Sequence, residues 1–388
     1  MEKKIKKICF FSSTRADYGQ LSWLIKDITY LNKFKVFLIV SGTHILKKYG
    51  YTYKEIQKDN LKNIFKINIF SEKDSLNTYE KISSVGINKF TKCLKKIKPD
   101  ILFLMGDRFE LLSIAQSAFF LDIPIAHIAG GESTFGSKDE TVRNIITKFS
   151  FIHFVSNKLH QKKIIQLGEN PKKVYNVGGL NVESILRTKV LDKNTLEKKL
   201  KFIFMKKNLL VTFHPETIDY NNSKRNFIQL IKALEKIKDI LFIFTYPNAD
   251  KKNNEIIKKI NKFTRTYKNS VSFKSMGRIN YISTLNYIDG VIGNSSSGIT
   301  EAPSFKIGTI NIGDRQEGRI KSSSIIDCKP KTSEILKAIK RLYSSEFKNM
   351  LKNSRNPYAN GLVSNKIINI LNKTKIPNNL KKIFYENS

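Results

Sequence analysis

Short apolar runs rich in β-branched and aromatic residues alternate along this chain with longer amphipathic stretches. That alternation leaves few options besides a parallel sheet wrapped by helices. In the first half the strand candidates are Ile5–Ser12, Lys35–Ser41, Asp100–Met105, Ile123–Ile128, Phe151–Val155 and Val174–Val177, with helical patterns such as Tyr18–Leu31 and Glu110–Leu121 between them. A polar, lysine-rich, helix-like region runs from Glu183 to Lys207. A second series then follows: Asn208–Phe213, Ile240–Thr245, Val271–Lys274, Gly290–Ile292 and Thr309–Ile312. Two α/β halves joined near residue 180 fit this pattern.

Open parallel sheets place ligands beyond the carboxyl ends of their strands, and the unusual polar clusters of this sequence fall there. Arg15 and Asp17 follow the first strand, Ser41-Gly42-Thr43-His44 the second, Gly106-Asp107-Arg108 the next and Ala129-Gly130-Gly131-Glu132 the one after. In the second half His214-Pro215-Glu216 and Gly293-Asn294-Ser295-Ser296-Ser297-Gly298 occupy the same kind of position. Two such polar rims suggest domains facing across a cleft.

Net charge narrows the partners. With 69 Lys+Arg against 33 Asp+Glu the chain carries +36, yet 40% hydrophobic residues spread along 388 positions exclude a disordered polycation. Lysine is scattered over nearly every segment, as on solvated faces, so nucleic acid is not expected as a partner; a positive surface also steers small anions. Cys9, Cys93 and Cys328 have neither CxxC spacing nor an even number for a disulfide framework. The lysine-rich start lacks a following apolar h-region, and no apolar run approaches the roughly 18 residues of a bilayer span. A soluble cytoplasmic protein without membrane association is expected.

The clearest phosphate signal is Gly293–Gly298, after the apolar run Ile288–Ile292 and before a helix holding Glu301. A small-residue loop there offers N–H groups and the hydroxyls of Ser295, Ser296 and Ser297 to an anion; an ordinary serine N-cap would look the same. Arg15, His214, Arg315 and Arg319 are cations available at other strand ends, and arginine in a lysine-dominated chain suits planar, bidentate recognition. Asp107, Glu110, Glu132, Asp139 and Glu140 gather at the first-half strand ends, where proton abstraction and return need carboxylates in differing environments. Asp107, directly after the apolar Ile101–Met105, is the foremost of them. His44, Arg108 and His127 stand at or near the same ends as candidate substrate contacts, although His127, like His153, lies inside an apolar run as a core histidine would. None of the five histidines has a metal-site spacing, so neither a metal nor another cofactor is expected.

Together Ser13–Gly19, Gly106–Glu110, His127–Glu132, Phe213–Thr217, Gly293–Gly298 and Asn311–Arg319, with Asn356-Pro357-Tyr358, Gly361 and Ser364–Ile367, resemble the hydrolysing UDP-N-acetylglucosamine 2-epimerases of sialic acid and legionaminic acid biosynthesis, in order from about residue 5 to 372. The resemblance implies two Rossmann-like domains of glycosyltransferase B-like architecture. Residues 1–180 would carry the sugar and the catalytic carboxylates, 181–365 the nucleotide diphosphate, and 366–388 a helix and tail returning to the first domain. It implies a nucleotide-sugar substrate and a homodimer or homotetramer. Base removal of H2, anti elimination of the nucleoside diphosphate and hydration of the glycal would follow. By resemblance Asp107 and Asp139 match acid/base carboxylates, Ser295–Ser297 with Gly298 the phosphate loop, Glu301 the ribose-binding carboxylate, and His214 and Arg315 diphosphate contacts. Ala129 departs from the family, standing where some members carry Glu and others His. Glu132 or Glu140 would then supply the missing role.

Overall fold

A computed structural model describes residues 6–47, 50–70, 79–134, 138–215, 220–247, 253–376 and 380–386; Ile5, Glu216 and Thr217 lie outside them. The chain divides into two compact units. Residues 1–132, 139–184 and 360–388 make the first, and 133–138 with 185–359 the second.

The first unit is built on seven parallel strands: β1 (Lys6–Ser12), β2 (Phe34–Val40), β3 (Ile64–Lys66), β4 (Ile101–Met105), β5 (Ile125–Ile128), β6 (Ile152–Val155) and β7 (Val174–Asn176). Their order is β3-β2-β1-β4-β5-β6-β7, so the direction of winding reverses between β1 and β4. Crevices for ligands open at such a reversal, beyond the strand ends. Alternation along β1 sends Ile8 and Phe10 to one face and Cys9 and Phe11 to the other. The first pair packs under the helices Arg15–Tyr30 and Val363–Lys373, the second under Tyr79–Ile97 and Glu110–Phe119. Burying each such side chain contributes roughly 1.5–3 kcal/mol. The C-terminal helix is pinned at its start, where Ser364 donates its N–H and hydroxyl to Glu183 Oε2 at 2.7 and 2.9 Å.

Six parallel strands form the second unit: β8 (Asn208–Thr212), β9 (Leu241–Thr245), β10 (Ser270–Phe273), β11 (Gly290–Gly293), β12 (Gly308–Ile312) and β13 (Ile325–Cys328). Their order, β10-β9-β8-β11-β12-β13, reverses between β8 and β11. The loops after β8 and β11 therefore stand side by side, with Val211 opposite Ile292 and Thr212 opposite Gly293. A β-carbon at Gly293 would lie 1.9 Å from the Thr212 carbonyl oxygen, and its φ of +140° is a glycine conformation. Gly293→Ala is expected to cost at least about 3 kcal/mol; a melting temperature within a degree of wild type would show that this close approach is unnecessary.

Among the described residues, eleven of the thirteen strands coincide with the sequence expectation to within about two residues. The two missed, β3 and β13, are sheet edges of three and four residues. An edge strand answers to one neighbour and shows little periodic pattern. The first helix begins at Arg15 rather than Tyr18. Thr14 caps it by accepting from the Asp17 N–H at 3.3 Å while Asp17 Oδ2 accepts from the Thr14 N–H at 2.9 Å.

Candidate active site

In the first unit the polar residues collect after β1, β4 and β5. Asp17 serves mainly as a cap, also accepting from the Ser13 N–H and hydroxyl at 3.3 and 3.1 Å. Burial pushes its carboxyl up, opposed by Arg108 and by these hydrogen bonds. Gly106, Asp107, Arg108 and Phe109 form the turn from β4 into the helix Glu110–Phe119. Glu110 is fully buried, and neither carboxylate oxygen has a hydrogen bond. Arg108 Nε lies 3.7 Å from its Oε2. Burial pushes this carboxyl up as well, against the pull of Arg108.

After β5 the chain turns sharply. Ala129 takes a left-handed φ of 62°, uncommon for a residue with a side chain. At Gly131, φ 73°, a β-carbon would come within 2.5 Å of the His160 carbonyl oxygen. This tight passage leads to the half-buried Glu132. The helix Asp139–Phe149 then begins with Asp139 and Glu140 in its first turn, one turn ahead of Arg143.

Arg143 connects these segments. Its side chain is 1% exposed, and Nη2 binds Asp107 Oδ2 while Nη1 binds the main-chain carbonyl of Glu132. Glu140 Oε2 lies 3.4 Å from Nη1. One buried cation thus draws together a strand end, a turn and a helix start. Sequence reasoning did not single it out, although Arg143 stands four residues after Asp139 and three after Glu140, on one helix face.

In the second unit the loops after β8 and β11 are stitched by Asn294. Its Oδ1 accepts from the His214 N–H at 2.7 Å, and its Nδ2 donates to the His214 carbonyl at 2.9 Å. The Asn294 carbonyl accepts from Arg315 Nη1 at 3.0 Å and from the buried Gln316 Nε2 at 2.8 Å. His214, the serine loop and Arg315 are thereby gathered around one residue, Asn294, which no sequence pattern ranks above its neighbours. Ser295 caps the short helix Ser296–Thr300 by accepting from the Ser297 N–H, and Ser297 Oγ bonds Tyr281 Oη. Ser295, Ser296 and Ser297 remain partly exposed, whereas Gly298 is buried against Thr309. Glu301 faces Arg278, with Oε1 3.8 Å from Nη1.

Three candidate substrate contacts have partners within the protein. The His44 ring is buried between Ser12 Oγ at 2.9 Å and Thr52 Oγ1 at 2.8 Å, and burial drives its pKa down to about 4. His127, fully buried, bonds the Gly106 carbonyl through Nε2 at 2.9 Å and Thr147 Oγ1 through Nδ1 at 3.2 Å. A carbonyl only accepts, so Nε2 carries the proton and the ring is neutral; burial brings its pKa to about 3. Both rings hold the scaffold of the strand ends, because their nitrogens are taken by protein partners. Arg319 donates from Nε to the Ser133 carbonyl at 2.9 Å and from Nη2 to Thr134 Oγ1 at 3.3 Å, anchoring residues that group with its own unit. Arg15 lies at the first position of the helix after β1, partly buried. Among the described residues no three His, Cys, Asp or Glu side chains cluster as metal ligands, and no helix is long and apolar enough to cross a membrane.

Comparison with known proteins finds relatives along nearly the whole chain. The chain is 38% identical over 386 residues to a Campylobacter jejuni protein named GDP/UDP-N,N'-diacetylbacillosamine 2-epimerase (hydrolyzing), covering 98% of both. It is 35% identical over 388 residues to the Escherichia coli polysialic acid biosynthesis protein P7, again covering 98% of both. The crystal structure of UDP-GlcNAc 2-epimerase from Neisseria meningitidis bound to UDP-GlcNAc shares the fold, with a TM-score of 0.81 at 18% identity over 95% of this chain and 100% of that one. The sequence profile described as UDP-N-acetylglucosamine 2-epimerase matches residues 26–372. With nearly the whole length matched and the same two reversing parallel sheets, the chain belongs to the UDP-N-acetylglucosamine 2-epimerase family.

Proposed function

We propose that this chain is a hydrolysing 2-epimerase that converts a nucleotide-linked 2-acetamido sugar and water into the free manno-configured sugar and nucleoside diphosphate. The observation that carries the reading is the joining of the Asp107 and Glu140 carboxylates and the Glu132 main-chain carbonyl through Arg143, with Asp139 on the same helix turn. Carboxylates held in differing surroundings suit a reaction that first removes a carbon-bound proton and then returns one.

In the first step a carboxylate takes H2 of the sugar, and the electron pair forms the C1–C2 double bond. The C1–O bond breaks in an anti elimination, and the nucleoside diphosphate leaves with those electrons. Water then adds to the glycal: a carboxylate takes one of its protons as the hydroxyl bonds to C1, and a carboxylic acid delivers a proton to C2 on the face opposite the one that lost H2. Asp107 is assigned as the base; Asp139, Glu132 and Glu140 share the remaining proton transfers. His214, Arg315 and the hydroxyls of Ser295, Ser296 and Ser297 are assigned to the departing diphosphate, whose developing charge such groups stabilise. Glu301 is assigned to the ribose hydroxyls, and Arg15 and Arg108 to the anionic substrate.

The Campylobacter relative favours a nucleotide-linked 2,4-diacetamido-2,4,6-trideoxy sugar over UDP-N-acetylglucosamine. The product would feed the synthesis of a nine-carbon sialic acid or legionaminic acid in the cytoplasm by a homodimer or homotetramer. Incubation with both sugar nucleotides in heavy water, followed by proton and phosphorus NMR, tests the reading. Free manno-configured sugar deuterated at C2, with free nucleoside diphosphate, is the expected result. A product still linked to the nucleotide would establish a non-hydrolysing 2-epimerase instead.

A further inference from the structure

We propose that Arg143 is a positioning residue for the elimination: by binding the Asp107 carboxylate and the Glu132 carbonyl together, it holds the base in register with the segment that carries a second carboxylate. The inference rests on the reaction proposed above and adds a residue to it.

Asp107 follows β4, Glu132 follows β5, and Arg143 lies one turn into the next helix, so three separate elements meet at one guanidinium. Arginine suits this place and lysine does not. Its planar fork presents two N–H donors in fixed directions, so two acceptors on different segments are set at a fixed spacing. The helix supplying it is anchored by the buried Val142 and Ile146, and the guanidinium is itself almost fully enclosed. Glu140, beside Nη1, shares the same cation from the first turn. Thr147, farther along this helix, meets His127, whose other nitrogen holds the Gly106 carbonyl immediately before Asp107. The helix Asp139–Phe149 therefore grips the Asp107 turn twice, once through the side chain of Asp107 and once through the carbonyl preceding it.

A displacement of about 1 Å in a reacting group can cost on the order of 10²-fold in rate. Arg143→Ala should accordingly lower kcat about 10²-fold with KM changed less than about threefold. Arg143→Lys keeps the charge but loses the fork and should remain roughly tenfold impaired. Added guanidinium ion at millimolar concentration should raise the rate of Arg143→Ala and leave that of Asp107→Asn unchanged. Because Arg143 acts through Asp107, the double variant Asp107→Asn, Arg143→Ala should be no slower than Asp107→Asn alone. Multiplicative losses in the double variant, or a tenfold rise in KM with unchanged kcat, would overturn the inference.

The pairing is also read without turnover. Among wild type, Asp107→Asn, Arg143→Gln and the double variant, the double should melt higher than the two single losses add up to predict. Additive melting losses would defeat the proposal. Absence of wild-type turnover on both sugar nucleotides would count against the reaction, leaving the melting cycle to decide the pairing.

Discussion

Asp107→Asn is expected to slow sugar-nucleotide cleavage by about 10³-fold, within the range that a positioned acid or base contributes. The amide keeps the size of the carboxylate and can still accept from Arg143, but it cannot take the C2 proton. Binding of the nucleoside diphosphate should change less than about threefold, since its assigned contacts are His214, Arg315 and the serine loop of the other unit. Some melting temperature will be lost, because a guanidinium with an exposure of 1% then faces a neutral partner. Rates are therefore to be compared well below the melting transition. Retention of more than a tenth of wild-type kcat would remove Asp107 from the role of base and leave Asp139 or Glu132 as the candidate.

Replacement of His127 by Gln should remove about one proton from the pH dependence of stability between pH 6.5 and 4. Burial holds this imidazole near a pKa of 3 and His44 near 4, below the unfolded value of 6.5. Between the folded and unfolded values the unfolded chain binds the extra proton, so each histidine weakens the fold as pH falls through 6.5. The slope is about 1.4 kcal/mol per pH unit per histidine, and the loss at pH 5 is roughly 2 kcal/mol each. Asp17 and Glu110 work in the opposite sense: burial raises both carboxyls, so the folded chain takes up protons earlier than the unfolded one. The difference in slope between wild type and variant is consequently the quantity to measure, by urea unfolding at half-unit pH steps. An unchanged slope in both His127→Gln and His44→Asn would mean that these rings titrate normally in the folded protein.

The enclosure of these histidines is not legible in the sequence. A histidine after a strand and a histidine inside one look alike in sequence, as a polar residue near a strand end. In the fold, Ser12 and Thr52 bond the ring nitrogens of His44, and Gly106 and Thr147 those of His127. Arg315 and Arg319 occupy one loop and look equivalent in the sequence. One donates to the Asn294 carbonyl and the other to the Ser133–Thr134 segment.

Sequence alone determined the architecture, because strand and helix periods are local and repeat: eleven strands, two α/β series and the positions of their polar ends were legible from patterns a few residues wide. It also determined the family, since the polar loops occur in one order along nearly the whole chain. Tertiary structure decided what each loop residue touches. Arg143 meets Asp107 across 36 positions and Asn294 meets His214 across 80, pairings that no local spacing encodes. It also decided the edge strands β3 and β13, which become strands through a single long-range partner. Hydrogen bonds of this kind depend on where the sheet carries each loop, and that is settled only when the strand order of the whole sheet is formed.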